Sequence, residues 1–95
     1  MSYTPTFHPS KSGVGTTLTA LGATYATGPV IAVVSAVVDF YLNYDDATIT
    51  NRFFVESSGQ PFRIVVDDLS KLHVAAVSGT VNLFMHTYPI NAVVP

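Results

Sequence analysis

The sequence predicts an all-β protein, a small antiparallel β-sandwich or β-barrel with an extended N-terminal arm. Over residues 31–44 every even position is apolar or aromatic, which is the two-residue period of half-buried strands. No segment sustains the 3.6-residue period of an amphipathic helix. With 95 residues, 48% of them hydrophobic, the chain can bury one small core. It is too short for a dinucleotide-binding fold or a TIM barrel.

Residues 1–17 are predicted to form the arm. Eleven of these seventeen residues are Ser, Thr, Gly or Pro, and the sizeable apolar side chains are Tyr3, Phe7 and Val14. A segment of this composition buries too little apolar surface to offset the entropy lost on ordering. We therefore expect a neighbouring subunit to hold the arm through these three side chains. We also expect deletion of the arm to leave the rest of the domain folded.

Residues 18–88 are predicted to form the β body. Weak alternation over residues 17–25 predicts a first strand. The alternation over residues 31–44 exceeds the usual strand length of about 5–6 residues, so we predict two strands joined by a bend near residues 35–39. A loop at residues 57–60 and a turn at Ser78-Gly79 predict two hairpins, because both resulting registers place apolar residues opposite one another.

The two hairpin registers also predict the core. Val55 would lie opposite Phe62 in the first hairpin, and Val74 would lie opposite Leu83 in the second. The predicted core comprises the inward-facing apolar residues Val34, Val38, Phe40, Phe53, Val55, Phe62, Ile64, Val74, Leu83 and Met85.

Residues 89–95 are predicted to form an apolar C-terminal tail. Ile90, Val93 and Val94 lie between two prolines in this segment. Apolar side chains in such a tail are expected to leave water, because their burial is favourable. We predict that the tail docks on its own body or on a neighbour through these three residues.

The low charge of the chain bears on its partners. Four basic and six acidic residues give a net charge of −2, and charged residues make up 11% of the sequence, against a usual share of about 25%. The basic residues are scattered, so nucleic-acid binding is not expected. Few charges protect a monomer poorly against association, so we expect a homo-oligomer.

The sequence pattern predicts neither a signal peptide nor a membrane span. There is no cysteine, which excludes a disulfide framework and a zinc–thiolate site. The first residues lack the basic start and apolar run of a signal peptide, so cytosolic synthesis is expected. The uncharged stretch 17–38 contains glycine and proline and continues into strand-like alternation. We therefore predict no membrane span.

Motifs for catalysis are weak. Residues 11–17 have the glycines and threonines of a phosphate-binding loop, but no lysine follows Gly15 as that motif requires. No Gly-x-Ser-x-Gly elbow presents a nucleophilic serine. We therefore predict no enzymatic activity, no catalytic residue and no cofactor.

Oxygen and nitrogen ligands are present without the spacing of a metal site. The candidates are Asp45, Asp46, Asp67, Asp68, His8, His73 and His86. The acidic pairs lack the spacing of a calcium loop. The histidines lack metal-ligand spacing, although the predicted register places His73 and His86 on one face. We predict no metal site.

The closing half of the body carries a family resemblance. It reads Phe62-Arg63-Ile64-Val65-Val66-Asp67-Asp68-Leu69-Ser70-Lys71-Leu72-His73-Val74, then the Ser78-Gly79 turn, then Thr80-Val81-Asn82-Leu83-Phe84. This sequence pattern resembles that of small all-β virion proteins of tailed bacteriophages, and the likeness covers roughly residues 28–88. The resemblance implies a β-sandwich or β-barrel module without catalysis that decorates or cements capsids or serves in the tail. Such modules are often trimeric, so we favour a trimer. No functional residue is carried over.

The expected function is therefore structural. We expect a capsid cement or decoration subunit that stabilises the major capsid protein lattice, made in the host cytoplasm and located in the virion. One alternative is a structural or adaptor subunit of the phage tail, baseplate or fibre. The other is a small carbohydrate-binding module, in which aromatic side chains form a strip for sugar stacking. The candidate strip comprises Tyr25, Tyr41, Tyr44, Tyr88 and Phe54. Arg63 over the Phe54 ring would be an ordinary cation–π contact.

Overall fold

The computed structural model of the protein describes residues 5–22, 25, 28–48 and 52–90. These residues form two antiparallel β-sheets packed face to face. The prediction of an all-β sandwich is confirmed. The sandwich forms because the strands alternate apolar and polar residues, so each sheet has one face that is stable only against another apolar face.

The described residues contain nine strands. In chain order they are β1 (Thr6–Phe7), β2 (Lys11–Val14), β3 (Thr19–Ala20), β4 (Val30–Ser35), β5 (Phe40–Tyr44), β6 (Phe53–Val55), β7 (Phe62–Val66), β8 (Leu72–Ala76) and β9 (Val81–Pro89). Short 3₁₀ helices at Ser57–Gly59 and Leu69–Lys71 precede β7 and β8.

The strands are divided between two sheets. Sheet I has five strands in the order β1-β9-β4-β7, and β2 pairs with β9 beyond β1 along the same edge. Sheet II has four strands in the order β3-β8-β5-β6. The nine-residue strand β9 is the longest described strand and is paired on both sides, with β4 on one and with β1 and β2 on the other.

The predicted bend in the alternating segment is confirmed. Strand β4 ends at Ser35 in sheet I, and β5 begins at Phe40 in sheet II. The Gln60 side chain holds the crossing, because its amide donates to the Val38 carbonyl at 3.0 Å and its oxygen accepts from the Ala36 N–H. Val37 and Val38 in the crossing are exposed, and Val37 keeps 86% of its accessible surface.

The two predicted hairpins are wrong. Strand β6 pairs with β5, whereas β7 pairs with β4 in the other sheet. Strand β8 likewise pairs with β3 and β5, whereas β9 belongs to sheet I. Alternation fixes which face a strand buries but not its neighbour, and residues 57–60 and 77–80 cross between the sheets.

The core between the sheets is largely as predicted. Six predicted residues are buried: Val34, Phe40, Val55, Val74, Leu83 and Met85. Phe62 and Ile64 are half-buried and pack against the core. Val38 and Phe53 are wrong predictions, with 47% and 54% of their surface exposed. Val38 lies in the crossing, and Phe53 lies on the outermost strand of sheet II, where no further strand covers it among the described residues.

The described part of the arm lies on its own body. Strand β1 pairs Thr6 with Thr87, and β2 pairs Val14 with Val81, so both extend sheet I. The expectation that a neighbour must hold the arm is therefore wrong for residues 5–17. Backbone pairing holds this segment without many apolar side chains, and Val14 is 5% exposed within the core. Of the predicted first strand over residues 17–25, only Thr19–Ala20 is a strand among the described residues.

Candidate interaction surface

Strand β9 directs alternate side chains to opposite sides of sheet I. Its inward residues Val81, Leu83, Met85 and Thr87 are buried between the sheets. Its outward residues are Asn82, Phe84, His86 and Tyr88. Aromatic rings therefore stand on a face that the second sheet does not cover.

Neighbouring strands complete this outer face with apolar side chains. Residues directly opposite one another in paired strands point to the same side. The outward positions of β1, β4, β7 and β9 are Phe7, Ile31, Val33, Ser35, Arg63, Val65, Asn82, Phe84, His86 and Tyr88. We call this set the outer face of sheet I. Arg63 is its one Lys, Arg, Asp or Glu side chain, so the face is apolar with little charge.

The rings on the outer face form a continuous row. The centroids of Phe7 and His86 lie 5.4 Å apart, and those of His86 and Tyr88 lie 5.6 Å apart in an edge-to-face arrangement. These distances are typical of favourable aromatic contacts. Phe7 remains 75% exposed, so the row covers the sheet but is itself open to a partner. Val33, between His86 and Arg63 in the register, is 3% exposed.

A cleft continues the outer face at one end of the sandwich. It has a volume of about 380 Å³ and is lined by Val37, Val38, Thr80, Val81, Asn82 and Phe84. Phe84 is 50% exposed and belongs to both the cleft and the outer face. Apart from the Asn82 amide and the Thr80 hydroxyl, the lining side chains are apolar. The cleft therefore offers hydrophobic contact and few groups for chemistry.

Together, the outer face and the cleft form a large exposed apolar surface. Phe7 is 75% exposed and Phe84 is 50% exposed, so at about 200 Å² per side chain these two residues contribute roughly 250 Å² of exposed surface. Patches of several hundred Å² on a small protein mark sites of interaction with other proteins or ligands. We identify this surface as the candidate functional site.

The arm contributes Phe7 to this surface and is fixed beside it by polar contacts. The His8 N–H donates to the Met85 carbonyl at 3.1 Å, and the His8 ring hydrogen-bonds with the Thr87 hydroxyl at 3.1 Å. The buried Tyr25 hydroxyl donates to the Pro9 carbonyl. Further along, the Gly13 N–H donates to the Asn82 side chain at 3.0 Å.

Acidification should loosen this anchoring. Burial lowers the pKa of His8 below its ordinary value of 6.5, so the folded state binds fewer protons here than the unfolded chain. The contribution of neutral His8 to stability is therefore present above pH 6.5 and is lost as the pH falls through the range below it. We expect the protection of the His8 amide, which donates to the Met85 carbonyl, to fall in hydrogen exchange between pH 7.5 and pH 5.5. A His8→Gln variant should show no such fall, and equal pH dependence in both proteins would contradict the assignment.

The six residues predicted for interfaces have different environments. Phe7 lies on the outer face, and Ile90, directly after β9, is 50% exposed. Val14 belongs to the core instead, because β2 turns it inward opposite Val81; it is a wrong prediction for an exposed contact. Tyr3, Val93 and Val94 lie outside the described residues.

The other candidate metal ligands do not lie together in one site. His73 and His86 belong to different sheets, so their predicted placement on one face is wrong. Asp68 instead caps the 3₁₀ helix, where hydrogen bonds from the Ser70 hydroxyl and N–H lower the pKa of its carboxyl. Within the described ranges, no three His, Asp or Glu side chains group as metal ligands would.

The aromatic strip proposed for sugar stacking does not form. Tyr25 is buried, Tyr44 packs against the core, and Tyr88 lies on sheet I. On sheet II, Tyr41 contacts Phe54 with centroids 5.5 Å apart. The guanidinium over a ring belongs to Arg52, 4.1 Å from the Tyr41 centroid, so the predicted pairing of Arg63 with Phe54 is wrong.

Sequence reasoning missed the outward row on β9. It considered His86 as a candidate metal ligand and did not single out Phe84. A signal was present, because residues 81–88 carry apolar or aromatic side chains at both the odd and the even positions. A strand with two apolar faces is buried on both sides, or one side awaits a partner.

Comparison of the chain with protein-family models, curated protein sequences and solved structures finds no match. In the described part of the chain, no helix has the length and hydrophobicity needed to cross a bilayer.

Proposed function

We propose that this protein is a structural virion subunit of a tailed bacteriophage, of the capsid cement or decoration type. In this function it packs on the major capsid protein lattice through the outer face of sheet I. The protein is made in the host cytoplasm, acts without catalysis or a cofactor, and resides in the virion as a homo-oligomer.

The outer face of sheet I carries the proposal. It holds an exposed aromatic row and one formal charge, Arg63, and it continues into an apolar cleft. A flat apolar face suits another protein surface, because sheets pack face to face at about 10 Å and bury both sets of side chains. The resemblance of residues 28–88 to phage virion proteins supplies the kind of partner.

The same face would serve a tail, baseplate or fibre subunit, which is the alternative location within the particle. The carbohydrate-binding alternative has less support. Its candidate tyrosines are divided between the core, sheet I and sheet II, so they offer no continuous stacking platform.

Incorporation into particles tests the proposal. In virions of the phage that encodes the chain, we expect the wild-type protein in stoichiometric amounts. Phe84→Arg should lower its occupancy at least tenfold, because the charge would be buried unpaired against the lattice. The side chain is half-exposed, so folding should be unaffected.

Val77→Arg provides the control, since Val77 is 43% exposed but is not part of the outer face or the cleft. It should leave occupancy unchanged. Quantitative mass spectrometry of purified virions measures both variants, and virions that lack the wild-type protein would overturn the proposal. A three-dimensional reconstruction would distinguish capsid from tail.

A further inference from the structure

The open edges of the sandwich differ in their capacity to pair with another strand. Sheet I ends in β7 on one side and in β1 and β2 on the other, and sheet II ends in β3 and β6. Strands β1, β3 and β6 have two, two and three residues, and β2 has four with an irregular register. Strand β7 has five residues in unbroken register with β4. It is the longest regular edge in the described residues.

We propose that two copies of this chain associate through β7, edge to edge and antiparallel, about a twofold axis. An unpaired edge presents backbone N–H and C=O groups that form a template for another strand. A twofold interface uses the same patch on both copies, so the partner of the longest regular edge is an edge of equal length. Sheet I would then run continuously through both molecules.

The register of this pairing follows from maximal overlap. With Ile64 on the axis, all five residues of β7 are paired: Ile64 with Ile64, Phe62 with Val66 and Arg63 with Val65 of the other copy. Inward residues then meet inward residues, and Arg63 faces a valine rather than another charge. Since each copy carries a net charge of only −2, long-range repulsion between copies is small.

Side chains beside β7 add apolar contact to the backbone pairing. Val65 is 63% exposed, and Phe53 and Phe54 on the adjacent edge of sheet II are 54% and 42% exposed. The Phe53 and Phe62 rings lie 5.2 Å apart and so connect the two sheets along this side. Phe53, exposed in the single chain, would be covered by the same side of the other copy.

The dimensions predict a reversible dimer. Five strand residues span about 17 Å, and the smallest dimension of the molecule is 22 Å. The seam therefore covers about 400 Å² per copy, half of the roughly 800 Å² per partner of a standard interface. A ring of three copies would need β7 to pair with a different edge, and the others are short or irregular. A twofold dimer therefore replaces the trimer expected from the sequence. This dimer does not depend on the proposed docking on a lattice.

Sedimentation velocity over a concentration series tests the pairing. The wild-type protein should pass from monomer to dimer at micromolar to millimolar concentrations. Val65→Arg should raise the dissociation constant about tenfold or more, because it places two arginines opposite the Arg63 side chains across the axis. The double variant Arg63→Glu/Val65→Arg should restore dimerisation, since opposite charges then face each other. Val77→Arg, away from β7, should behave as wild type.

A cysteine on the axis gives a second readout. The natural chain has no cysteine, and opposed residues of antiparallel strands have Cα atoms about 4.5–5.5 Å apart, within the range of a disulfide. Ile64→Cys should therefore form a disulfide-linked dimer on oxidation, and Val77→Cys should not. A monomer at millimolar concentration, a trimer, no rescue by the double variant, or equal cross-linking of both cysteine variants would each overturn the pairing. Unchanged virion incorporation of Phe84→Arg, with dimerisation intact, would contradict the proposed function and leave the pairing of β7 supported.

Discussion

Replacing Phe40 by alanine should lower the free energy of unfolding by about 3–5 kcal/mol. The ring is 0% exposed and stands at the first residue of β5, opposite Val55 on β6 and Ala76 on β8. Its removal leaves a cavity bordered by both neighbouring strands, which the sheet cannot close without moving its backbone. Since a small domain has a total stability of about 5–15 kcal/mol, the variant should retain at best a small margin. Denaturant unfolding followed by circular dichroism measures the loss.

Phe53→Ala is the matched control, because it removes the same ring from an edge strand. More than half of Phe53 is exposed, and its principal described contact is the Phe62 ring. The expected loss is about 1 kcal/mol, the order of one aromatic pair. Equal losses for the two variants would show that β6 and β5 are wrongly placed relative to the core.

Deletion of residues 2–15 should lower the unfolding free energy by about 2–4 kcal/mol and promote aggregation. The deletion removes β1 and β2, takes Val14 out of the core and withdraws the Gly15 carbonyl that accepts from the Ala76 N–H at 2.8 Å. Losing the buried valine alone is worth about 1.5–3 kcal/mol. The exposed side of β9 would become a second long open edge. The composition of the arm had led us to expect that its deletion would leave the rest of the domain folded. The contacts of the arm predict a loss of stability instead.

Full-length Val14→Ala separates the two effects. It should cost about 1.5 kcal/mol, since two buried methyl groups are lost at roughly 0.8 kcal/mol each, but it should not aggregate because the edge of β9 stays covered. Chemical denaturation and light scattering of both proteins make the comparison. An unchanged unfolding midpoint in the truncated protein would refute the role of the arm in the body.

Local pattern predicted the class of the fold but not its pairing. The period of residues 31–44 sufficed to predict two strands and a bend, because alternation records which side of a strand is buried. It carries no information on which strand lies beside it. The hairpins at residues 57–60 and 78–79 failed for this reason: an equally apolar partner was available in the other sheet.

Composition was also a poor guide to the arm. Its Ser, Thr, Gly and Pro content suggested a segment that needs a neighbour, since few side chains can be buried. The arm is held instead by backbone pairing with β9 and by the His8, Pro9 and Gly13 hydrogen bonds. Long-range pairing between residues 6 and 87 leaves no local trace in a sequence. The candidate surface was hidden likewise, since it exists only when β1, β4, β7 and β9 lie side by side.

The position of β9 in both the chain and the sheet has a kinetic consequence. Until residues 81–89 leave the ribosome, β4 has β7 as its described partner in sheet I, and β1 and β2 have none. Sheet I can therefore close only after nearly all of the described chain has been synthesised, and closure joins segments about as far apart in sequence as the chain allows. Such non-local topologies fold slowly, on the millisecond to second scale. The strands β1 and β2 precede all other described strands in the chain, yet they are among the last to be paired. Until β9 is synthesised, they remain accessible to any other strand.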